Sequence, residues 1–393
     1  MFIFSSNITF SFSFIVISLA LTLNQKIQVV QVINIHRKYL SLISFSIGII
    51  SSLVAQSDLP SQTPFKSSIR ALSVINNESA VFAGSGGLVG YTVDGGITWD
   101  TTRLSVTSSY DSTFSPSFRS CAVVDNYLIA VSISSPGFII RAPLHDLSNT
   151  EIVLESHEPS TFWDSVNFWD EKEGIMMGDP KDDCLSIYIT RDGGVNWEKV
   201  DCSIIPPTII GEAAFAASNG NIACYENDAW IATGGVASRV FHTSDRGHTW
   251  NVAETPLIQG GTMTGAFAID FKSSKIGIAI GGDWENQSSN SGNIAFTSDG
   301  GLTWELLSEN RGPGYRSCVI WRPGTYKECV AIGTKGIDYS LDDGLTWSHI
   351  SDEEYYTGRF SPNGKYLWLA GNKVVSRYVW SDLRDSLIKF RHE

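Results

Sequence analysis

The stretch Thr297–Trp304 reads TSDGGLTW, an aspartate and two glycines between hydroxyl residues, closed by a tryptophan. Such an aspartate can be a metal ligand or a catalytic group, or it can accept hydrogen bonds that hold a turn together. Four further octets share the pattern Ser/Thr-x-Asp-x-Gly-x-Thr/Asn-Trp, and they lie at Thr92–Trp99, Thr190–Trp197, Thr243–Trp250 and Ser340–Trp347. Fivefold recurrence indicates a repeated structural element rather than one site.

The spacing of the octets predicts a repeat architecture. Their aspartates are 98, 53, 54 and 43 residues apart, so the long first interval should contain a degenerate copy near Ile139–Asn149. Strand patterns flank each octet, which predicts a hairpin turn in which Asp accepts hydrogen bonds, Gly provides positive φ and Trp covers the turn. This interpretation gives structural roles to Asp94, Asp192, Asp245, Asp299, Asp342, Trp99, Trp197, Trp250, Trp304 and Trp347.

Two more strand patterns precede each octet, giving four strands per repeat. Radially repeated four-stranded units make an all-β protein, a β-propeller. We expect seven blades, with six as the fallback, because units begin near Ile69, Phe118, Trp163, Gly211, Gly265, Tyr315 and Gly358. The last unit supplies only three strands, and we expect the segment Thr63–Ser68 to add the fourth and close the ring.

The composition fits a folded, turn-rich domain and limits the partners. The chain has 393 residues, including 35 Gly and 12 Trp, with 42% hydrophobic and 18% charged residues. The net charge is -13, and it becomes -16 without residues 1–55, which hold three basic residues and no acidic one. Nucleic acid and anionic membranes require a basic surface, so both are poor candidates as partners.

The first 55 residues are expected to be an export signal region. From His36 onward they show a basic stretch (HRKYL), an apolar stretch (LSLISFSIGIISSL) and a small-residue cleavage site after Ala55. Residues 1–35 are untranslated if the start lies downstream, and the alternative is a membrane anchor, for which Phe10–Leu23 is short. We therefore expect an exported protein, periplasmic or secreted, with one propeller domain over residues 56–393.

The octets and their surroundings resemble a known family. They match Asp-box (BNR) repeats, and SIRALSVIN, FWDSVNFWDEKEGIMMGDP and GTKGIDYSLDDGLTW are similar to exported bacterial photosystem II assembly/stability factor-like proteins. The resemblance covers roughly residues 64–380. It implies a propeller that serves as an assembly or scaffolding factor, although relatives also carry oxidoreductase or glycosyl hydrolase names. Asp boxes specify the fold far more than the function.

Aligning the starts of the inner strands places charged residues at one end of the channel. The octet turns should lie at the opposite face, away from any site there. The aligned row contains Arg70, Arg119, Asp164, Glu212, Arg316 and Arg359. Loops between second and third strands add Asp179, Asp283, Trp284, Glu285 and Lys335, and Trp163 stands beside Asp164. Arginine forks bind carboxylate or phosphate, so this mouth is the candidate site for a protein segment or small anionic ligand.

Two alternatives stay open for the charged row. Its members can pair with one another and seal the channel. They can also catalyse: sialidases use an arginine cluster on a propeller, but the Arg-Ile-Pro motif is missing here. For glycoside hydrolysis, Asp164 with Glu212 or with Asp179 is the pairing to test.

Other chemistry has little sequence support. GSGGLVG at Gly84–Gly90 lies between strands without a following helix, so it does not indicate dinucleotide binding. No cofactor is expected, and the spacing of the six cysteines does not predict a metal site. Cys184 and Cys202 flank one octet symmetrically and are candidates for a disulfide, as are Cys318 and Cys329 across another hairpin.

Overall fold

The computed structural model describes residues 61–307 and 309–390. The expected export signal in residues 1–55 and the domain boundary at residue 56 lie outside the described residues. The described chain consists mainly of antiparallel strands, with a short 3-10 helix at Cys202–Ile204 and one α-helix, α1, at Trp380–Phe390. No helix in this part is long and apolar enough to cross a membrane.

The strands follow one another along the chain with short connections. In the first half they are β1 (Ser61–Val74), β2 (Ala80–Gly84), β3 (Leu88–Thr92), β4 (Asp100–Arg103), β5 (Val106–Thr107), β6 (Thr113–Phe114), β7 (Phe118–Val124), β8 (Tyr127–Ser132), β9 (Gly137–Pro143), β10 (Glu151–Ser156), β11 (Trp163–Phe168), β12 (Gly174–Lys181), β13 (Cys184–Thr190), β14 (Glu198–Lys199) and β15 (Glu212–Ala213). In the second half they are β16 (Ile222–Tyr225), β17 (Asp228–Ala232), β18 (Gly234–Gly235), β19 (Arg239–Thr243), β20 (Asn251–Glu254), β21 (Thr264–Phe271), β22 (Gly277–Asp283), β23 (Ile294–Thr297), β24 (Glu305–Leu307), β25 (Cys318–Trp321), β26 (Cys329–Gly333), β27 (Gly336–Ser340), β28 (Ser348–Ser351), β29 (Thr357–Phe360) and β30 (Tyr366–Val379).

These strands form an all-β propeller. Six sheets contain four or six strands each, and β5 with β6 makes a separate two-stranded ribbon. Counted by sheets, the propeller has six blades, the fallback number, and seven separate sheets are not found in the described part of the chain. The expectation of seven fails on this count because β1 and β30 are long strands that change partner along their length. They merge the first and last repeats into one sheet, in the order β29-β30-β1-β2-β3-β4.

The amino-terminal strand closes the ring, as expected from the incomplete last repeat. Residues 61–64 of β1 pair with the carboxyl-terminal half of β30, with Ser61 opposite Arg377 and Pro64 opposite Val374. Residues 69–74 of the same strand pair with β2. The closing ladder begins two residues before the predicted Thr63, and an irregularity precedes its last pair, Ser68 with Asn372.

Each octet forms the turn between the third and fourth strands of its repeat, as predicted. In the octet at Thr297, the Thr297 hydroxyl donates to Asp299 Oδ1 at 2.8 Å and accepts from the Gly301 amide at 2.9 Å. The Thr303 amide also donates to Asp299 Oδ1, at 3.0 Å. Burial opposes ionisation, but these bonds outweigh it and hold the pKa of Asp299 below its usual value. The same bonds recur around Asp94, Asp192, Asp245 and Asp342.

The second glycine position of the octet brings neighbouring sheets together. Gly247 has a φ of 91°, and a Cβ there would lie 2.1 Å from a side-chain carbon of Ile189, in the preceding sheet. At Gly301 the corresponding neighbour is Trp230, whose indole donates to Gly300 O at 2.8 Å. The octet turn is therefore also an inter-sheet contact, which explains the glycine better than turn geometry alone.

The remaining sequence expectations for turns are also met. Asp146 lies in the turn between β9 and β10 and accepts from the Ser148 amide at 3.2 Å, so the degenerate copy stands in the expected place. Gly84–Gly90 includes the end of β2 and the start of β3, with no helix after it. Four octet tryptophans donate to an octet glycine carbonyl, whereas Trp99 instead packs edge-on against Trp368, at 6.2 Å between ring centroids.

The core lies between the faces of adjacent sheets. Second strands are buried on both faces, as in β2 and β26, because each sheet is covered by its two neighbours. Trp230 from β17 stacks on Phe271 from β21, with 3.6 Å between ring centroids, and links two sheets in this way. Fourth strands such as β4 are largely exposed. The apolar stretches that the sequence shows before each octet are thus explained by burial on both sides.

The cysteines divide into one bonded pair and separate thiols. Cys184 at the start of β13 is joined to Cys202, with 5.7 Å between Cα atoms. Cys318 and Cys329 are separate, contrary to the second candidate pairing. The register of β25 and β26 explains this, since Cys318 stands opposite Ile332 and Cys329 opposite Trp321, at opposite ends of the hairpin.

Candidate functional site

The channel of the propeller is crossed by residues 214–221, here called the axial segment. The sequence alignment treated GEAAFA, from Gly211, as an inner strand, and this is wrong. Only Glu212–Ala213 is a strand, and it pairs with β18 at the edge of the sheet that contains β21 to β24. The inner strand of the sheet β16-β17-β19-β20 is β16, from Ile222. Every residue of the axial segment is buried. Its bonds reach β1, β7, β21 and β29, which places it across the centre.

Three arginines of the predicted row hold the axial segment. Arg70 Nη1 donates to Ala217 O at 2.9 Å, and Arg119 Nη1 donates to Ala216 O at 3.3 Å. Arg359 Nη2 donates to Asn219 O from the other side of the axial segment. The side chain of Asn219 adds two bonds to β7, one from the Ser120 hydroxyl and one to Cys121 O at 2.9 Å. The row therefore has a structural role that the sequence did not predict.

Glu212 and Arg316 lie in buried ion pairs instead of in the mouth. Glu212 accepts from Arg239 Nε at 3.1 Å and from the Thr233 hydroxyl at 2.5 Å. Arg316 Nε donates to Asp338 at 2.8 Å, and its other nitrogens donate to carbonyl oxygens. Both side chains are almost fully buried. Their partners, Arg239 and Asp338, lie outside the row, so these two residues do not pair with other members of the row as the alternative required.

Asp164 of the row and Asp179 of the neighbouring loop are strongly affected by burial. Asp164 is fully buried, and neither carboxyl oxygen has a hydrogen-bond partner. Burial and the neighbouring Asp179 raise its pKa well above the usual value, and the nearby amides of Ala216 and Asp179 offset this only in part. Asp179 accepts from the Ala214 amide at 2.9 Å, and burial raises its pKa to about 6. Asp164 does not line the mouth cavity, so the glycosidase pairings with Glu212 or Asp179 are not assembled at this cavity.

A cavity of about 400 Å³, here called the mouth cavity, opens above the axial segment. Arg70 and Arg119 line one side and Asp179 another. The remaining wall is mostly apolar and consists of Phe162, Ala213, Ala214, Phe215, Ala216, Ala217, Thr262, Met263, Phe267, Trp284 and Tyr315. Of the predicted site residues, Arg70, Arg119, Asp179 and Trp284 meet here.

Aromatic rings shape the apolar wall. Phe215 stacks on Phe267 with 3.9 Å between centroids, and Tyr315 meets Phe267 edge-on at 4.7 Å. Trp284 is 47% exposed at the rim. Phe215 and Phe267 were not predicted as site residues, because they stand within apolar stretches that resemble core strands. Their only distinguishing signal is their position near the start of a repeat.

Trp163 and Asp283 lie apart from the cavity lining. Trp163 is buried and packs against Tyr188, at 5.8 Å between centroids. Asp283 ends β22 and accepts from the Glu285 amide at 2.8 Å, so it caps its own loop. Arg359 lies on the other side of the axial segment. No group of three or more His, Cys, Asp or Glu side chains in the described residues is placed to hold a metal ion.

The two mouth arginines form no ion pair within the described part of the chain, although the buried Asp164 carboxyl near Arg119 favours the charged form of that guanidinium. Among the described residues, neither Arg70 nor Arg119 has an ion-pair partner, and the Nε of each is buried without a hydrogen-bond partner. The Arg70 guanidinium lies 3.7 Å above the ring of Tyr356. Burial lowers the pKa of both, and the proximity of Arg70 helps to bring that of Arg119 to about 10. Both stay cationic at neutral pH, so the cavity presents two partly desolvated cations.

Replacing Asp179 by Asn should reduce the pH dependence of stability. The folded-state pKa of Asp179, about 6, lies above its unfolded value, so ionisation with rising pH disfavours the folded state. Between about pH 4 and pH 7, wild type should lose on the order of 2 kcal/mol relative to Asp179→Asn. Asn retains the acceptor for the Ala214 amide, and urea unfolding at each pH measures the difference. Parallel pH curves would contradict the assignment.

Comparison with known proteins identifies similar folds. No protein family and no curated relative matches the sequence. A solved structure of YCF48 bound to a D1 peptide is similar, with a TM-score of 0.57 and 20% identity, covering 82% of this chain and 96% of that one. The structure of YCF48 from Cyanidioschyzon merolae has a TM-score of 0.56 and 14% identity, and the match covers 82% of this chain and 99% of that one. The WD40 propeller domain of Doa1 has a TM-score of 0.52 and 12% identity, and the match covers 81% of this chain and 97% of that one. At these identities the similarity shows the fold alone.

Proposed function

We propose that this chain binds a protein segment that presents a carboxylate group to Arg70 and Arg119 in the mouth cavity. One observation carries the proposal: two guanidinium groups without a carboxylate partner face one cavity in an otherwise acidic protein. Arginine forks bind carboxylates through short, charge-assisted hydrogen bonds. A bound carboxylate would neutralise charge that the protein leaves uncompensated.

The apolar wall favours a peptide over a small inorganic anion. Phe215, Phe267 and Tyr315 pack together beside the arginines and are nearly buried, and Trp284 adds exposed apolar surface at the rim. Apolar surface of this kind gains free energy when a ligand side chain covers it. A YCF48 structure holds a D1 peptide on a similar fold, which supports a peptide as ligand but does not identify its sequence.

The same proposal includes an exported assembly or scaffolding role. The Cys184–Cys202 bond suits an oxidising compartment, and the stretch from His36 to Ala55 has the order of an export signal. We propose that the octets are Asp-box repeats of the photosystem II assembly/stability factor-like kind. Mass spectrometry of the secreted or periplasmic protein tests the location, since cleavage after Ala55 leaves Gln56 as the first residue.

We also propose that the ring contains seven four-stranded units. In this description the sheet β29-β30-β1-β2-β3-β4 holds two of these units. One unit is completed by residues 61–64 of β1, and the next unit begins at Ile69 of the same strand. The partner change within β1 and β30 supports it. A crystal structure of residues 56–393 tests the count, because seven units would be related by one-seventh of a turn and six by one-sixth.

Peptide binding is tested with the Arg70→Gln/Arg119→Gln double variant. A library of peptides with free carboxyl termini is screened by fluorescence polarisation, and the best binder is resynthesised as its terminal amide. Both the double substitution and amidation should weaken binding at least tenfold, because each removes a charge-assisted contact worth about 1.5–3 kcal/mol. Arg191→Gln, which removes an arginine at an octet turn, should bind like wild type. Equal binding by the double variant, or no binder in the library, would refute the proposal.

A further inference from the structure

A second cavity lies at the opposite end of the channel. It measures about 320 Å³ and is closed above by Asn219 and Gly220 of the axial segment. Its walls come from the inner strands of every repeat, including the last residues of β1 and β25. We call it the octet-side cavity, because inner strands end at the face where the octet turns lie. It shares none of its lining with the mouth cavity.

Two opposite charges face this cavity without pairing. Asp270 accepts from the Trp321 amide at 2.7 Å and from the Phe271 amide at 2.9 Å. Arg359 Nη1 donates to Gly358 O at 2.7 Å and to the Thr357 hydroxyl at 3.1 Å. Neither belongs to an ion pair among the residues described, although both line the cavity. Partly buried charges of this kind are costly unless something neutralises them.

The two charges are separated by a single inner strand. That strand, β25, contacts both, since its Trp321 amide binds Asp270 and its Cys318 sulfur lies 3.7 Å from Arg359 Nη1. Asn167 and Ser73 add polar groups to the wall. Burial raises the pKa of Asp270 to about 6, and the cation of Arg359 opposes this effect. At neutral pH the cavity therefore carries a carboxylate and a guanidinium on walls separated by one strand.

We propose that the octet-side cavity binds a small zwitterion, an amino acid or a dipeptide. The ligand carboxylate would accept from the free donors of Arg359, and its ammonium would donate to Asp270. A molecule with both charges neutralises both walls at once, whereas a singly charged molecule leaves one wall uncompensated. The volume, near the lower end of the range for ligand pockets, suits a molecule of this size.

The first measurement needs no substitution. Isothermal titration at neutral pH compares glycine, L-alanine and glycylglycine with acetate and methylammonium on the wild-type protein. At least one zwitterion should bind with a dissociation constant below about 10 mM and at least tenfold more tightly than either singly charged probe. No saturable binding of any zwitterion, or equal binding of acetate, would overturn the proposal.

Two substitutions then locate the site. Asp270→Asn and Arg359→Gln should each weaken zwitterion binding at least tenfold, with folding checked by thermal unfolding. Arg191→Gln, which changes an arginine that lines neither cavity, is the matched control, and its zwitterion affinity should equal that of wild type. Retained binding in the two cavity variants, or loss in the control, would contradict this assignment. Because the two proposals are tested with different ligands and with substitutions in different cavities, they fail independently.

Discussion

A chain that begins at Lys66 is expected to lose the cooperative unfolding of the propeller. The truncation removes the ladder between residues 61–64 and β30, together with the Ser61 hydroxyl bond to Gly95 O at 2.8 Å. It also removes Phe65, whose ring lies 4.6 Å from Phe82 and 5.9 Å from Trp99. Phe65 is half-buried, so its loss should cost part of the ~3–5 kcal/mol of a fully buried phenylalanine, and the ladder adds to this.

The exposed edge of β30 increases the effect. Without β1, residues 374–377 present unpaired backbone groups to solvent, and such an edge promotes association between molecules. Urea unfolding followed by tryptophan fluorescence should show a midpoint at a markedly lower urea concentration, or a broad transition. Light scattering should show larger particles.

The matched control is a chain that begins at Ser61. It lacks the same upstream residues but retains the whole closing ladder, so its midpoint should be close to that of the longer protein. An unchanged midpoint in the chain that begins at Lys66 would show that the amino-terminal strand does not close the ring in solution.

Replacing Arg239 by Met is expected to destabilise the fold by about 3–5 kcal/mol. The substitution leaves the carboxylate of Glu212 buried without its cation, although bonds from Thr233 and the Ile209 amide stay. A buried, unpaired carboxylate is neutralised at low pH, so the loss should shrink as the pH falls. Glu212 directly precedes the axial segment, so the change should also disturb Phe215 in the mouth cavity.

Two further variants separate charge burial from loss of packing. Arg246→Met removes an arginine that pairs with Asp170 and Glu173 near the surface, and it should cost no more than about 1 kcal/mol. The double variant Glu212→Met/Arg239→Met should recover much of the lost free energy, because neither charge stays behind. A cost below about 1 kcal/mol for Arg239→Met would contradict the role assigned to the pair.

The fold was predictable because its main determinant is local. An octet such as Thr297–Trp304 satisfies its own backbone groups through Asp299, so its conformation follows from eight consecutive residues. The same locality made the Cys184–Cys202 pairing predictable, since both residues flank one hairpin. The Cys318–Cys329 alternative failed because hairpin register, which spacing does not specify, places them at opposite ends.

The candidate site was only partly predictable. The charged row assumed that GEAAFA was an inner strand, since alternating small and apolar residues suit a strand as well as a buried segment. The axial segment owes its path to Arg70, Arg119 and Arg359, which come from distant parts of the chain. No local pattern reports contacts over such distances. Arg239 and Asp338, which pair with Glu212 and Arg316, could not be predicted as partners for the same reason.

The repeat, its four strands, the turn at each octet and the strand that closes the ring could all be predicted from the amino-acid sequence. These follow from hydrogen bonds and apolar periodicity within a few tens of residues. Which charges face a cavity, in contrast, could not be predicted and became clear from the folded chain. Glu212 and Arg316 find buried partners, whereas Arg70 and Arg119 donate to carbonyl oxygens and form no ion pair among the described residues. Charge compensation depends on distances between chain segments, and those distances exist only once the propeller has closed.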